Sequence, residues 1–459
     1  MSTHPLSPPD RASARPQLRP GRAAGASSLS RRQFLQRAAA AGGAAAAPWL
    51  VPGPALGRDG AVPPSQRIVL GGIGIGGRGS GVLQWMLPER DVQFVAVCDA
   101  KKSQRERVKQ IVDNHYGNND CVTYRDMREF LATRTDIDAL LITTGDRWHA
   151  TASVMAMRSG KDVYSEKPSA MTIAEGRAVV ETARRYARVY QTGLQRLSEA
   201  NFTFANELLR LGRLGKVHTV RAHIAPWDAA EMRTDWLPAE PEPPKDEVDW
   251  DQWLGPCPWR PFNRTYIGGG WRGHYDFHTS CIGEWGAHTF GQCQVAIGAT
   301  DTSPIEYRYV NNPTGDGMVT RFANGIQMVL HRGDQWWHGS CGVRYEGTEG
   351  WVSIADGYSR PEVSRPALLA DFTKLVRDYM ARTGRPMSHV RNFFDCVKSR
   401  RLTVAHPEVM HRSMSTVHAA NICMWLKRDM KYDPVKEEFA GDAEANRLRS
   451  RAMREPWII

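Results

Sequence analysis

The chain has 459 residues, which is too long for one ordinary hydrophobic core and fits two domains behind a leader. Its shares of hydrophobic and charged residues, 41% and 24%, are those of a soluble globular protein. The formal net charge of +11 does not indicate nucleic-acid binding, because eight arginines and only two aspartates fall in residues 1–60, and no basic tract is interleaved with aromatic residues.

The N-terminal segment has the features of an export leader. Residues 1–28 are rich in Pro, Ser, Ala and Arg and are predicted to be disordered. The sequence SRRQFL at 30–35, the Ala/Gly-rich run 38–51 and the segment 52–57 follow in the order typical of a twin-arginine signal. The run is too short and too rich in small residues to span a membrane. We therefore predict that residues 1–57 direct the protein, through the twin-arginine machinery, to the periplasm or beyond.

A nucleotide-binding turn follows the leader. Arg67–Ile73 reads as a buried strand and runs directly into a G-x-G-x-x-G frame. In this frame the first glycine permits a tight turn, the second lets the backbone approach a pyrophosphate, and the third permits close packing of helix on strand. A helix over 80–87 would direct its N-terminal amides toward the phosphates. The cofactor-binding residues predicted here are Gly74, Ile75, Gly76, Gly77, Arg78 and Gly79.

A second predicted strand, Val92–Cys98, ends at Asp99, which lies 25 residues after Gly74. An acid at this strand tip binds the hydroxyls of the adenosine ribose and repels a 2′-phosphate. We therefore predict NAD as the cofactor. NADP remains an alternative because Lys101 and Lys102 lie close to Asp99.

Two further strand tips carry polar side chains. The apolar run Ile137–Thr143 is followed by Thr144 and His149, and the short strand Lys161–Ser165 is followed by Glu166-Lys167-Pro168. Ligands bind at the carboxyl ends of parallel strands. We therefore predict that Thr144, His149, Glu166 and Lys167 contact the cofactor.

The end of the first domain can also be placed. Thr172 and Glu175 form a capping box that opens a helix to about Ala187. Val189–Thr192 reads as the last strand. These signals place a Rossmann domain at 64–193, with Gln195 and Arg196 facing the cleft just beyond it.

Catalytic candidates lie in the second half of the chain. Gly283–Ile297 has a helical pattern in which Glu284 and His288 are spaced i, i+4 and share one face. His288 can accept a substrate proton while a carboxylate orients its other ring nitrogen. Residues 226–270 are rich in Pro, Gly and Trp and are predicted to form an insertion over the pocket.

The segment GHYDFH at 273–278 allows two interpretations. If it is extended, His274, Asp276 and His278 share one face and, with His288, offer metal ligands. The other interpretation is a polar sugar site without a metal, which the family resemblance given below implies. The predicted substrate-binding residues are Gln195, Trp271, Arg272, Tyr275 and Asp276.

The remaining sequence predicts an antiparallel sheet over 305–355, a helix over 409–427 and a surface tail after Asp442. None of the eight cysteines forms a CxxC pair, so neither a zinc ribbon nor a thioredoxin motif is predicted.

Several separate motifs, taken in order, resemble the glucose–fructose oxidoreductase / inositol dehydrogenase (Gfo/Idh/MocA) family. They are GIGGRG at 74–79, Asp99, GDRWHA at 145–150, EKP at 166–168, WDQWLGPCPWRPFNR at 250–264, GEWGAH at 283–288 and HVRNFFDCVKSRR at 389–401. The resemblance implies a fold in which a Rossmann domain precedes an α/β domain, residues 194–459, with a large, mostly antiparallel open sheet that serves homo-oligomer contacts. It also implies that Lys167 faces the nicotinamide and the substrate hydroxyl. The family usually has Asp where this chain has Glu284.

Three functions are consistent with these patterns. The first is an exported NAD(P)-dependent oxidoreductase acting on a sugar or polyol hydroxyl. Its cofactor would be held tightly and recycled in place, because twin-arginine export carries folded proteins and no free nicotinamide pool exists outside the cytoplasm. The second is a glycoside hydrolase of similar fold, in which NAD oxidises the sugar transiently. The third is a non-catalytic sugar- or nucleotide-binding protein.

Overall fold

The computed structural model describes residues 62–224, 232–310, 316–331, 342–356 and 360–459. The predicted leader and export signal, residues 1–57, lie outside the described residues. No helix in the described part of the chain is both long enough and apolar enough to cross a membrane.

Strands and helices alternate from residue 68 to residue 192. In chain order they are β1 (Ile68–Ile73), α1 (Gly77–Met86), β2 (Val92–Cys98), α2 (Lys102–Tyr116), β3 (Val122–Tyr124), α3 (Met127–Thr133), β4 (Ala139–Ile142), α4 (Asp146–Arg158), β5 (Asp162–Ser165), α5 (Ile173–Arg185) and β6 (Tyr190–Thr192). All neighbouring strands pair in parallel, in the order β3-β2-β1-β4-β5-β6. The strand order reverses between β1 and β4, where ligands bind in folds of this type.

Local sequence explains these elements. The strands β4 and β5 are buried throughout, as expected of parallel strands covered by helices on both faces. Helix α5 begins where the capping box predicts, since the Thr172 hydroxyl accepts from the Glu175 amide at 3.2 Å and Glu175 Oε2 accepts from the Met171 amide at 3.3 Å. The predicted Rossmann fold is therefore confirmed.

The rest of the described chain forms a second α/β layer. Its elements are α6 (Ala200–Arg210), β7 (Val217–His223), α7 (Trp250–Leu254), α8 (Ser280–Ala296), β8 (Glu306–Tyr309), β9 (Asp316–Arg321), β10 (Gln327–His331), β11 (Val343–Gly347), β12 (Gly350–Ile354), β13 (Glu362–Val363), α9 (Phe372–Thr383), α10 (His389–Ser399), α11 (Pro407–Leu426), β14 (Met430–Asp433), β15 (Glu438–Phe439) and α12 (Ala443–Arg447). Helices α6, α8 and α11 pack together against the strands, and their contacts form the second core.

The second sheet has nine strands within the described residues, in the order β13-β12-β11-β7-β10-β9-β8-β14-β15. Every pair is antiparallel except β7 with β10, which is parallel. A parallel pair needs a long crossover, and here the connection holds the insertion and helix α8. The predicted open, mostly antiparallel sheet is confirmed.

Helix α10 comes late in the chain but belongs to the first core. Its side chains Val390, Phe393 and Phe394 are buried against Leu70 and Phe94, among others, of the Rossmann layer. The first core therefore contains residues from both sides of position 194, because α10 packs against the Rossmann layer.

The C-terminal segment is docked and is not the surface tail that the sequence predicts. Trp457 is 1% exposed, and its ring meets the Trp148 ring edge to face at 4.8 Å. Arg451 donates from Nε to Glu175 Oε1 at 2.5 Å. The high charge of this segment hid its buried contacts, because Arg451 and Arg454 donate hydrogen bonds to groups far away in sequence.

The insertion forms a small core of its own and is bonded to the first domain. Trp250, Trp253 and Tyr266 pack together inside it. At its base the Lys102 amide donates to the Glu247 carbonyl at 2.8 Å, and the Asp249 amide donates to the Ala100 carbonyl at 3.0 Å. These bonds hold the insertion over the tip of β2.

Candidate active site

Two neighbouring cavities lie at the carboxyl edge of the first sheet. The strand-tip cavity encloses about 370 Å³ between the tips of β1, β2 and β4 and the insertion. The polar cavity encloses about 600 Å³ between the first domain and helices α8 and α10. Arg78 lines both cavities, so they adjoin at its side chain.

The glycine loop forms one wall of the strand-tip cavity. Gly74 has φ +66°, and a Cβ there would lie 2.3 Å from Thr144 Cγ2. A Cβ on Gly79 would lie 2.1 Å from Thr143 Oγ1, whereas Gly76 and Gly77 have nothing within 4 Å of an added Cβ. The backbone of these two glycines is open to the cavity where helix α1 begins, and it therefore fits an approaching pyrophosphate. The side chain of Ile75 is fully buried in the core, so only its backbone is available to a cofactor.

Asp99 lies at the tip of β2 and lines the strand-tip cavity. One carboxylate oxygen, Oδ1, accepts from the Lys101 amide at 2.8 Å. Burial raises the pKa of Asp99 to about 6, against the opposing effect of that amide and of nearby cations. The structure shows no protein donor to the second carboxylate oxygen among the described residues, and an acid at this strand tip can bind ribose hydroxyls.

Thr144 lines the same cavity, but His149 lies behind it. The buried Thr144 Oγ1 has no hydrogen-bond partner in the described part of the chain. His149 is 2% exposed and lines neither cavity; its Nδ1 donates to the Pro168 carbonyl at 2.7 Å. Burial lowers the pKa of His149, so the ring is neutral. His149 therefore supports the Glu166-Lys167-Pro168 turn, in place of the predicted direct contact with a cofactor.

Glu166 organises the junction between the cavities. Its Oε1 accepts from Gln195 Nε2 at 2.8 Å and lies 3.5 Å from Arg78 Nε, and its Oε2 accepts from the Lys167 amide at 3.2 Å. Gln195 also donates to the Tyr164 hydroxyl at 3.0 Å and lines the polar cavity. The structure thus brings four predicted residues into one network.

The polar cavity holds Lys167, Glu284 and His288 together. Lys167 Nζ donates to the Glu284 carbonyl at 2.9 Å and lies 5.4 Å from the centre of the Trp285 ring. The peptide bond between Lys167 and Pro168 is cis. Burial, with the charges of Arg196 and Lys167, holds the pKa of His288 well below its usual range. His288 is therefore neutral at pH 7.

The predicted pairing of Glu284 with His288 is wrong. The Gly273 amide donates to His278 Nδ1 at 3.1 Å, so the ring proton is on Nε2, which donates to Glu284 Oε2 at 3.3 Å. This bond, with the charge of Lys167, lowers the pKa of Glu284 to about 2. His288 Nδ1 is buried without a hydrogen-bond partner among the described residues.

The other predicted substrate residues are dispersed. Trp271 and Arg272 line the strand-tip cavity, not the polar cavity. Tyr275 and Asp276 line neither: Tyr275 packs on Trp425 with 5.5 Å between ring centres, and Asp276 pairs with the buried Arg260.

The segment 273–278 folds into turns, so the shared face on which the metal alternative depended does not form. His274 is fully buried beside the Tyr266 ring. The described residues contain no group of three His, Cys, Asp or Glu side chains suitably placed for a metal.

Sequence reasoning placed Arg196 at the cleft without a role, and it missed other residues that line the cavities. Arg196 is 3% exposed; its Nη1 donates to Thr289 Oγ1 at 3.3 Å and its Nη2 pairs with Asp356. Arg147 lines the strand-tip cavity, as do insertion residues such as Trp253. Arg147 lies within GDRWHA, so its position in a motif was the available signal. The insertion as a whole was predicted to lie over the pocket, but its aperiodic sequence did not indicate which of its residues line it.

Two family profiles match the chain. The profile described as "Oxidoreductase family, NAD-binding Rossmann fold" matches residues 67–194, and "Oxidoreductase family, C-terminal alpha/beta domain" matches residues 216–459; both belong to the Gfo/Idh/MocA group.

Curated relatives match over a shorter region. A "Glycosyl hydrolase family 109 protein" of Shewanella baltica is 34% identical over 176 residues, which cover 34% of this chain and 37% of the relative. An "Alpha-N-acetylgalactosaminidase" of Shewanella oneidensis is 32% identical over 146 residues, which cover 30% and 31%. The chain thus aligns with about a third of the length of these relatives.

Solved structures show the same fold. The myo-inositol 2-dehydrogenase of Lactobacillus plantarum has a TM-score of 0.55 at 16% identity and covers 80% of this chain and 100% of its own. The WlbA dehydrogenase of Bordetella pertussis, in complex with NADH and UDP-GlcNAcA, has a TM-score of 0.58 at 15% identity and covers 80% and 98%. At these identities the likeness concerns the fold alone.

Proposed function

Because the chain belongs to the Gfo/Idh/MocA family of oxidoreductases, we propose that it is an exported enzyme that oxidises a sugar or polyol hydroxyl with a tightly held NAD(P). The observation that carries the proposal is the junction of the two cavities at Arg78 and Glu166. On one side the open glycine backbone and Asp99 suit a dinucleotide. On the other side a neutral histidine and a lysine suit the oxidation of an alcohol.

Asp99 and the loop amides would bind the ribose and phosphates of the dinucleotide, and Lys167 and Glu166 would face its nicotinamide end. When bound, the nicotinamide supplies the hydride acceptor. His288 is the base that takes the hydroxyl proton, because its neutral ring lines the polar cavity. Lys167, held by the Glu284 carbonyl, donates a hydrogen bond to the substrate oxygen.

The insertion supports tight retention and recycling in place. Gln252, Trp253 and Ile267 line the strand-tip cavity from the side opposite the glycine loop. Lys101 Nζ donates to the Ile267 carbonyl at 3.0 Å, which ties the insertion to the tip of β2. A bound dinucleotide would leave only after these contacts open. We propose further that the enzyme reaches the periplasm or beyond through its twin-arginine signal, and that copies associate through the second sheet.

A redox-neutral glycoside hydrolase is the second candidate, because the curated relatives that match this chain bear glycosyl hydrolase names. In that reaction a sugar hydroxyl is oxidised, elimination and addition of water cleave the glycosidic bond, and the hydride returns to the sugar. Both candidates use the same two cavities. They differ in whether a net oxidised product or a free sugar is released.

The deciding experiment uses full-length protein from the exported fraction. The protein is denatured and any released nucleotide is identified by mass. Stoichiometric NAD(H) or NADP(H) supports the proposal, and mass spectrometry of the products from a panel of sugars and aryl glycosides then separates oxidation from cleavage. Protein that is empty and binds no added nucleotide would refute both enzymatic candidates and favour a non-catalytic sugar-binding role.

The matched variants are His288→Gln and His218→Gln. We expect His288→Gln to keep its nucleotide but to lose about 10²- to 10⁴-fold in kcat, as for loss of a general base. His218 is exposed and bonds its neighbour Thr219, so its substitution should leave kcat unchanged. Equal activity of the two variants would exclude His288 as the base.

A further inference from the structure

We propose that Arg147 binds a phosphate of the nucleotide in the strand-tip cavity, an inference that rests on the proposed nucleotide function. Arg147 is the second residue of helix α4 and lies at the tip of β4, where its side chain contacts the insertion. It adds a second cation to the cavity beside Arg78 of the glycine loop, which is paired with Glu166 at 3.5 Å. The argument starts from the surroundings of its guanidinium.

The guanidinium of Arg147 is enclosed by aromatic rings. Only 4% of the residue is exposed, and the guanidinium carbon lies 3.6 Å from the centre of the Trp253 ring, 5.4 Å from that of Phe277 and 5.9 Å from that of Trp271. Its Nε donates to the Trp253 carbonyl at 2.9 Å. The stacking fixes the plane of the guanidinium, so the remaining donors have a fixed direction.

This buried cation lacks a partner of opposite charge in the described part of the chain. Its Nη1 is buried and donates to no protein atom that the structure describes. The adjacent carboxylate, Asp146, is occupied by the Thr279 amide at 3.0 Å and the Thr279 hydroxyl at 2.8 Å. Burial lowers the pKa of Arg147 only to about 10, so the group stays charged at pH 7. A buried, unpaired charge is unfavourable, and an anionic ligand would compensate it.

The position of Nη1 indicates which kind of anion would bind there. It lies 2.5 Å from where a Cβ on Gly145 would be, so the guanidinium rests on the Gly145 backbone. The preceding residue, Thr144, packs directly on Gly74, and its buried hydroxyl also lacks a partner in the described part of the chain. Thr144 thus adjoins the glycine loop, and Arg147 lines the same cavity as Gly76 and Gly77 at the start of α1, where backbone amides favour phosphate.

The C-terminal segment holds Arg147 in place. Arg451 Nη2 donates to the Arg147 carbonyl at 3.0 Å, while its Nη1 donates to the Asp276 carbonyl at 3.2 Å and its Nε to Glu175 Oε1 at 2.5 Å. Only 8% of the Arg451 side chain is exposed. The donor is therefore preorganised before a ligand arrives, which lowers the entropic cost of binding.

The test measures binding to full-length protein that has been stripped of nucleotide. Calorimetric titrations use three ligands. Adenosine carries no phosphate, ADP-ribose carries the diphosphate alone, and 2′-phospho-ADP-ribose carries the diphosphate and a 2′-phosphate. The variant is Arg147→Met, which keeps an unbranched apolar stem but removes the charged guanidinium. The control is Arg158→Met, an exposed arginine at the other end of the same helix.

We expect Arg147→Met to weaken the binding of ADP-ribose roughly 10- to 100-fold, as for loss of a charged hydrogen bond. The affinity for adenosine should be unchanged. If Arg147 instead serves the 2′-phosphate, only 2′-phospho-ADP-ribose weakens. The melting temperature without ligand should stay the same or rise, because an unpaired buried charge has been removed. Arg147→Lys should recover part of the affinity.

Three results would overturn the inference: unchanged affinity for both phosphorylated ligands, an equal loss for adenosine, or a lower melting temperature without ligand. The last two would assign Arg147 a purely structural role. If unmodified protein binds none of the three ligands, the proposed function itself fails, and that outcome is distinct from unchanged binding by the variant.

Discussion

The three glycines of the nucleotide loop are required for different reasons, and two substitutions separate these reasons. Gly79→Ala places a methyl group against Thr143 and should cost about 1–3 kcal/mol of unfolding free energy by overpacking. Gly76→Ala meets no atom within 4 Å, so stability should be unchanged while the methyl group blocks the path of a pyrophosphate. Denaturant unfolding and nucleotide content measure the two effects. A destabilised Gly76→Ala that binds nucleotide normally would contradict this assignment.

Cofactor preference should depend on pH through Asp99. With a pKa of about 6 in the nucleotide-free protein, Asp99 is ionised at pH 8 and mostly protonated at pH 5. The ionised form repels a 2′-phosphate and the protonated form does not. We therefore expect the preference for NAD over NADP to fall as the pH is lowered, as measured by the ratio of the two dissociation constants.

The variant Asp99→Asn is the control for this pH dependence, because a 2′-phosphate itself changes charge near pH 6. In this variant only the titration of the 2′-phosphate remains. The ratio of its dissociation constants for NAD and NADP should therefore vary less with pH than the ratio of the unmodified protein. Identical pH dependence of the two proteins would show that Asp99 does not set the preference.

Residue types and spacing predicted the position of the glycine loop and of Asp99, whereas the position of Lys167 facing the substrate hydroxyl was implied only by the family resemblance. They did not predict the partner of Glu284. The i, i+4 spacing places Glu284 and His288 on one helix face, but His278 from the preceding turn occupies the carboxylate. The turn at 273–278 has no periodicity, so its fold depends on packing against the insertion and not on local propensity.

Among the elements, the short C-terminal segment is expected to affect both the stability of the protein and the retention of nucleotide. Trp457→Ala removes a buried indole from beneath Trp148 and should cost about 3–5 kcal/mol. Because Trp148 lines the strand-tip cavity, the variant should also release nucleotide faster. Thermal unfolding and a nucleotide release assay measure both effects.

The matched control is Trp259→Ala, since Trp259 is 56% exposed and its removal should change neither quantity. Normal nucleotide retention in a destabilised Trp457→Ala would limit this segment to a role in stability.

Element types were predicted better than element partners. The alternating pattern over 305–355 predicted strands, and the structure confirms them. The parallel pairing of β7 with β10 was not predicted, because it depends on where the chain returns after α8. The contacts of α10 with the first core were missed for the same reason, since an amphipathic pattern shows that a face is buried but not against what.

At the scale of the whole molecule, α10 couples the two layers. Phe393 is fully buried in the Rossmann core although its neighbours in sequence belong to the second half. We expect residues 62–459 to unfold in one cooperative transition. Phe393→Ala should lower the midpoint of this transition, because it lowers the free energy of unfolding by about 3–5 kcal/mol. Calorimetry should show one peak in both proteins. Two resolved peaks would show that the layers unfold independently.

Export is tested on the leader. Replacing Arg31 and Arg32 by lysine keeps the charge of the segment but removes the paired arginines on which the predicted signal depends. We expect the protein to accumulate inside the cell with its nucleotide bound. Export at the normal level would refute the twin-arginine assignment without affecting the enzymatic proposal.

The bond from Arg451 to the Arg147 carbonyl also orders events during synthesis. The two residues are 304 positions apart in the chain. At the usual pace of about 5–20 residues per second, the ribosome adds Arg451 roughly 15–60 s after Arg147. Throughout that interval the glycine loop is already made while the support behind its neighbouring helix is not. On the proposed function, we therefore expect stable nucleotide loading only after Arg451 has been added, which also delays the proposed export of a loaded protein.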